Sequence, residues 1–154
     1  MNAAFLREAI EQAARNVHRG GGPFAALVVK DDTVIAAGSN CVTASNDPTA
    51  HAEIVAIREA CRVLGGFQLT ACDVYCSCEP CPMCLGALFW ARPARVFFAA
   101  TAADAAAAGF DDSLIYHQLS LPPDARAIPM VRVPDPSALR PFEEWARRPD
   151  KVLY

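Results

Sequence analysis

Four side chains in two short stretches could share one piece of chemistry. His51-Ala52-Glu53 offers an imidazole and a carboxylate, and Glu79-Pro80-Cys81-Pro82-Met83-Cys84 offers two thiols. A divalent zinc ion, one per chain, is the simplest centre that uses them all. His51, Cys81 and Cys84 make three protein ligands and leave a fourth position for water, which is how catalytic zinc sites differ from closed structural ones. Two thiolates cancel the charge of the metal, so its water is acidified less than by three histidines. A base is needed beside it. Glu53 is the natural one, because a carboxylate at the water can take its proton and return it to a leaving group.

The elements that must hold these groups follow from spacing. Cys81 and Cys84 are three apart, on one face of a helix. Pro82 is tolerated only in a first turn, so a helix starts at the cysteines and runs on through Leu85-Gly86-Ala87-Leu88-Phe89-Trp90-Ala91. The positive end of that helix favours thiolates. His51 opens a second helix, marked by Ile54, Val55, Ile57, Ala60, Cys61 and Leu64 at apolar helical spacing. His51 and Glu53 are about 200° apart around such a helix. They can therefore share a site only at its end.

Around these two helix starts the chain alternates. Phe5 to Val17 has the pattern of an amphipathic helix, stopped by Gly20-Gly21-Gly22-Pro23. Ala25–Val29 and Val34–Ala37 flank Lys30-Asp31-Asp32-Thr33 as a hairpin, and a polar loop from Gly38 to Ala50 delivers His51. Strands are expected over Asp73–Ser77 and, as a second buried strand, Ala94–Ala100. An alanine-rich helix over Ala102–Ala108, a last strand near Ile128–Val133 and a helix over Pro141–Arg148 complete the chain. The expected fold class is α/β: a three-layer α/β/α arrangement around a five-stranded mixed sheet, in a single domain over 1–154.

Composition narrows the function. With 154 residues, 53% hydrophobic and 20% charged, the chain has material for one substantial core and is not a disordered segment. Its net charge of −3 leaves no electrostatic footprint for nucleic-acid phosphates. No apolar run approaches the roughly 18 residues that cross a bilayer, and the first 17 residues lack a signal-peptide core. Seven cysteines, an odd number, suit a reducing cytoplasm better than a disulfide framework.

Plainer readings stand beside these. Cys76, Cys78, Cys81 and Cys84 could instead build an all-cysteine structural zinc site or part of an iron–sulfur site, making the chain a non-catalytic module. Cys78, Cys81 and Cys84 copy the first three positions of a ferredoxin-type run, but the fourth falls at Leu88, which cannot ligate. Cys76 and Cys78 alternate along a strand and are read as packing residues. Phe24, Trp90 and Tyr154 could be ordinary core or surface aromatics, Asp112 a cap or turn residue, and Asn40 a residue that shapes its loop.

The stretches Asn46-Asp47-Pro48-Thr49-Ala50-His51-Ala52-Glu53 and Ser77-Cys78-Glu79-Pro80-Cys81-Pro82-Met83-Cys84-Leu85-Gly86-Ala87 resemble the cytidine and nucleobase deaminase superfamily, whose zinc signature is H-x-E followed by P-C-x-x-C. Trp90-Ala91-Arg92, Gly109-Phe110-Asp111-Asp112-Ser113 and the final Tyr154 resemble its bacterial guanine-deaminating branch. The resemblance implies a cytidine-deaminase-like fold and attack by zinc hydroxide, held by His51, Cys81 and Cys84, on C2 of guanine. Glu53 then moves the proton, and xanthine and ammonia result. It also implies that Asn40 and the Ala52 backbone hold the base, that Phe24 stacks on it, that Trp90 and Tyr154 line the pocket, and that Asp112 is a second proton shuttle. A homodimer is implied in which the C-terminal segment, about 141–154, is swapped over the partner's site. Another nucleobase or aminated heterocycle, such as cytosine or an aminotriazine, remains the alternative substrate.

Overall fold

The computed structural model describes residues 2–154. These divide into two compact units, one ending at Asp112 and one spanning Ser113–Tyr154.

In the first unit, helix α1 (Ala3–His18) starts at Asn2, whose side chain accepts the Ala4 N–H and so satisfies one of the donors a helix start leaves open. Strands β1 (Ala25–Lys30) and β2 (Thr33–Ser39) form an antiparallel hairpin. Its two-residue turn has positive φ at both Asp31 (48°) and Asp32 (55°). That is the twist a tight hairpin needs, and aspartate tolerates it. The loop to His51 is not wholly irregular: one helical turn, α2 (Val42–Ser45), closes on Asn46 at φ 51°. Helix α3 (Ala52–Leu64) then ends at Gly65 with φ 66°. Strand β3 (Cys72–Cys78), helix α4 (Pro82–Ala91), strand β4 (Arg95–Ala100) and the short helix α5 (Ala102–Ala107) follow.

The sheet order is β2-β1-β3-β4, with β1 antiparallel to β2 and β3, and β4 parallel to β3. Strand alternation divides the core into two. Ala26, Val28, Val74 and Cys76 face α3, packing with Ala52, Ala56 and Ala60, while Leu27, Val29 and Tyr75 face α1 with Ala9, Phe5 and Leu6. Alanines on the buried stripe of α3 bring its backbone close to the sheet. The approach is closest at Gly38 of β2, where a Cβ would lie 2.6 Å from the Ala56 nitrogen and run into the Ala52 carbonyl. Gly38 therefore sets how near the first turn of α3, and with it His51 and Glu53, sits to the sheet.

Two expectations about the sheet need correction. It has four strands, not five. Residues 128–133 form no ladder, and Pro129 and Pro134 give the reason: prolines within and beside the stretch remove the N–H groups a central strand must donate. The second correction concerns β4. It is the edge strand, and Val96 and Phe98 are 36% and 45% exposed.

In the second unit, helix α6 (Ser113–Ser120), which has no counterpart in the sequence reading, leads to a 3-10 turn over Pro123–Ala125. Helix α7 (Arg140–Arg147) and an extended tail follow, the helix one residue ahead of its expected bounds. Arg126 ties the turn together by donating to the Leu121 carbonyl at 3.2 Å, and the Met130 N–H reaches the Pro123 carbonyl at 3.0 Å. Ile128, Val131, Val133 and Leu153 of this unit are 74–82% exposed.

Candidate active site and metal centre

His51 is the residue immediately before α3, and Cys81 the residue immediately before α4. Pro82 occupies the first position of α4, where its missing N–H has no intrahelical partner to lose. The two helix starts face each other as the motif spacing requires. Cys81 Sγ lies 3.5 Å and Cys84 Sγ 3.6 Å from His51 Nδ1, and the three ligand atoms all fall within 4.8 Å of one another. Tetrahedral zinc with ordinary Zn–S and Zn–N bonds sets its ligand atoms about 3.5–3.8 Å apart. The donor set thus fits zinc in both chemistry and spacing.

Glu53 is the second residue of α3, in its first turn, and is only 8% exposed. Its Oε2 accepts the Cys84 S–H at 3.4 Å, which brings the carboxylate to the edge of the ligand triangle. Burial pushes the Glu53 carboxyl above its ordinary range, against the pull of its own backbone N–H and of Cys84. A carboxyl raised in this way holds a proton more readily than an exposed one, which suits a group that both takes and gives a proton.

The two thiols are not alike. Cys81 is pulled down to about 4, first by the hydrogen bond from Cys84 and then by that from His51. Cys84 is pushed up by that same bond, by burial and by the negative Glu53. Of the two, Cys81 is shifted toward the thiolate and Cys84 toward the thiol. The neighbouring Cys84 side chain is the largest cause of the shift at Cys81. His51 is raised, chiefly by its bond to Cys81. Ligation of zinc by Cys81 and Cys84 would require both thiols to give up their protons.

The remaining candidates fall at different distances from this triangle. Ala52 is fully buried in the first turn of α3, where helix geometry leaves its N–H without an intrahelical acceptor. Phe24 and Asn40 are neighbours across the hairpin mouth, joined by a 3.0 Å bond from the Asn40 N–H to the Phe24 carbonyl. Asn40 Oδ1 accepts the Val42 N–H at 3.4 Å. Phe110 packs edge-on against Phe24 at 4.9 Å, so the Gly109–Asp112 segment folds over the same mouth. Asp112 is half-buried, and its carboxyl is raised by that burial and by the nearby charge of Cys81. Trp90 is in the last turn of α4, 63% exposed and about 9 Å along the helix axis from Cys84. Tyr154 belongs to the second unit and is 70% exposed.

Cys76 packs in the core beneath α3, and the Cys78 sulfur lies 3.6 Å from the Thr101 carbonyl. Neither sulfur belongs to the triangle of ligand atoms. The sequence reading left Glu79 without a role. Its N–H donates to the Ala100 carbonyl at 2.8 Å, and its carboxylate accepts the Ala102 N–H at 2.9 Å. Glu79 thereby clips the cysteine loop to the start of α5, a helix with no buried residue of its own. An acidic residue between Cys78 and Cys81 was the available signal, but its acceptor role depends on β4 lying beside β3.

A family model, that of the cytidine and deoxycytidylate deaminase zinc-binding region, matches residues 1–100. The chain belongs to this family. Guanine deaminase of Bacillus subtilis (strain 168) is 54% identical over 151 residues, 97% of this chain and 97% of that protein. The X-ray structure of guanine deaminase from Bacillus subtilis superposes with a TM-score of 0.98, covering 100% of this chain and 99% of that one at 54% identity. A tRNA-specific adenosine deaminase of Aquifex aeolicus (strain VF5) is 43% identical over 96 residues, 62% of this chain and 64% of that protein. Likeness to the adenosine deaminase thus spans under two thirds of the chain, while likeness to guanine deaminase runs through both units. The family's zinc-binding character agrees with the His51, Cys81 and Cys84 triangle.

Proposed function

We propose that the chain hydrolyses guanine to xanthine and ammonia, using zinc held by His51, Cys81 and Cys84. The observation that carries the reading is the Glu53 carboxylate, buried and within 3.4 Å of the Cys84 sulfur, beside a set of three candidate ligands. The 54% identity to a guanine deaminase over 97% of the chain selects guanine among the substrates such a site could take.

When bound, zinc supplies Lewis-acid activation of a water molecule. Glu53 accepts a proton from that water and delivers it to the purine ring as oxygen adds at C2. The N–H of Ala52 and the side chain of Asn40 orient the base, and Phe24 stacks on its plane. Asp112, held near the amino group, supplies the second proton, so that nitrogen departs as neutral ammonia. Overall, one water adds its oxygen to C2, one of its hydrogens stays on the ring nitrogen, and the other leaves with the amino nitrogen as ammonia.

Trp90 and Tyr154 complete the pocket in this reading, with Tyr154 arriving from the second copy of a homodimer whose C-terminal segments, about 141–154, are exchanged. The exposed Ile128, Val131, Val133 and Leu153 of the second unit support that exchange, because a monomer rarely leaves so much apolar surface in water. Zinc ligation by reduced cysteines favours the cytoplasm, and no helix among the described residues is long and apolar enough to cross a membrane. The substrate is a free nucleobase rather than nucleic acid, in keeping with the net charge of −3.

The test is ammonia release by zinc-loaded protein from guanine, cytosine, adenine and guanosine in separate reactions, with the Glu53→Gln variant as blank. Release from guanine is expected. Release from cytosine in its place would overturn the substrate, and release from none would overturn the activity.

A further inference from the structure

Asn16 lies in the last turn of α1, far in sequence from the metal motifs, yet its side-chain amide joins two segments that lead into the site. Nδ2 donates at 2.8 Å to the Gly22 carbonyl and at 2.8 Å to the Asn40 carbonyl. The Asn16 backbone carbonyl also accepts the N–H groups of Arg19 and Gly21, each at 3.0 Å. One residue therefore holds the glycine loop on one side and the end of the hairpin on the other.

Two glycines make room for this arrangement. A Cβ on Gly21 would lie on the Asn16 amide, 2.7 Å from its Cγ and 2.8 Å from its Oδ1. A Cβ on Gly22 would come within 3.0 Å of Asn40 Oδ1. Gln12, one turn earlier on α1, donates to Ser39 Oγ at 3.0 Å and secures the residue before Asn40. From this knot the chain runs through Pro23 to Phe24, whose carbonyl takes the Asn40 N–H.

We infer that Asn16 is a positioning residue for substrate binding, fixing Phe24 and Asn40 relative to each other through its two carbonyl contacts. The inference rests on the reading that these two residues contact the base. Asn16 itself reaches neither zinc ligand nor proton carrier, so its loss acts on ground-state binding and leaves the chemical step in place. A residue that only closed the helix end would change stability without separating KM from kcat.

The experiment compares Asn16→Ala, Asn40→Ala, Phe24→Ala and the Asn16→Ala/Asn40→Ala double variant, with Asn16→Asp as a variant of equal size that places an oxygen against the two carbonyls. Steady-state guanine deamination, zinc content and thermal denaturation are measured on each. For Asn16→Ala and Asn16→Asp, KM rises about tenfold while kcat changes by less than about threefold, and zinc is retained. In the Asn40→Ala background, Asn16→Ala adds little further to KM. An unchanged KM in Asn16→Ala, an equal rise in the presence and absence of Asn40, or loss of zinc would each overturn the inference. If Asn40→Ala and Phe24→Ala both leave KM unchanged, the base-contact reading is what has failed.

Discussion

The Cys84 thiol faces the Glu53 carboxylate across 3.4 Å, although the two residues are 31 positions apart in the chain. One belongs to the candidate zinc triangle, the other is the acid and base of the proposed reaction. Because each is buried and borders the same triangle, the protonation of one is felt by the other. In the proposed reaction, metal chemistry and proton transfer thus meet at one point, between two helix starts.

Replacing Glu53 by Gln keeps the shape and the hydrogen bonding but removes the proton carrier. Turnover of guanine falls by about 10² or more, as expected for a lost general acid and base, while the zinc content stays that of the wild type. Rate assays paired with metal analysis check this; an active Glu53→Gln protein would end the mechanism.

The same substitution has a stability signature in the metal-free protein. Glu53 titrates above its ordinary 4.5 because burial disfavours the charged form. A folded-state pKa above the unfolded one in a carboxyl means that stability is greatest at low pH and declines as pH rises from the ordinary value to the raised one. Metal-free Glu53→Gln is therefore more stable than wild type at neutral pH, with the difference closing below about pH 4.5. Thermal melts over a pH series measure the gap; a constant gap at all pH values contradicts it.

Metal retention separates the ligands from the packing cysteines. His51→Ala and Cys81→Ala each lose zinc on dialysis, whereas Cys78→Ala, whose sulfur lies by the Thr101 carbonyl, keeps it. The opposite pattern would revive the structural-module reading. Thiols must lose their protons to ligate a metal, so proton release on zinc addition is the companion observation.

Gly38→Ala tests the close approach of α3 to the sheet. The added methyl meets the backbone of Ala52 and Ala56, which cannot move out of the way as a side chain can. We expect a loss of roughly 1–3 kcal/mol in denaturant unfolding, typical of overpacking. Activity falls as well, because the first turn of α3 carries both His51 and Glu53. A fully active, fully stable Gly38→Ala protein would show that the contact does not position the site.

What the sequence by itself determined was local. Two motifs named the candidate ligands, Pro82 marked the start of α4, Gly65 the end of α3 and Asp31-Asp32 the hairpin turn, because caps, turns and ligand spacing depend on residues a few positions apart. Tertiary structure decided which elements become neighbours. It put β4 at the sheet edge, where apolar residues expected to be buried are partly exposed. It also left 128–133 without a ladder, gave Glu79 the Ala102 N–H to accept, and brought Asn16 to two carbonyls, one of them 24 residues away. Each of these depends on how distant segments pack, and a hydrogen-bond donor or acceptor carries no mark in sequence of the partner that packing will bring to it.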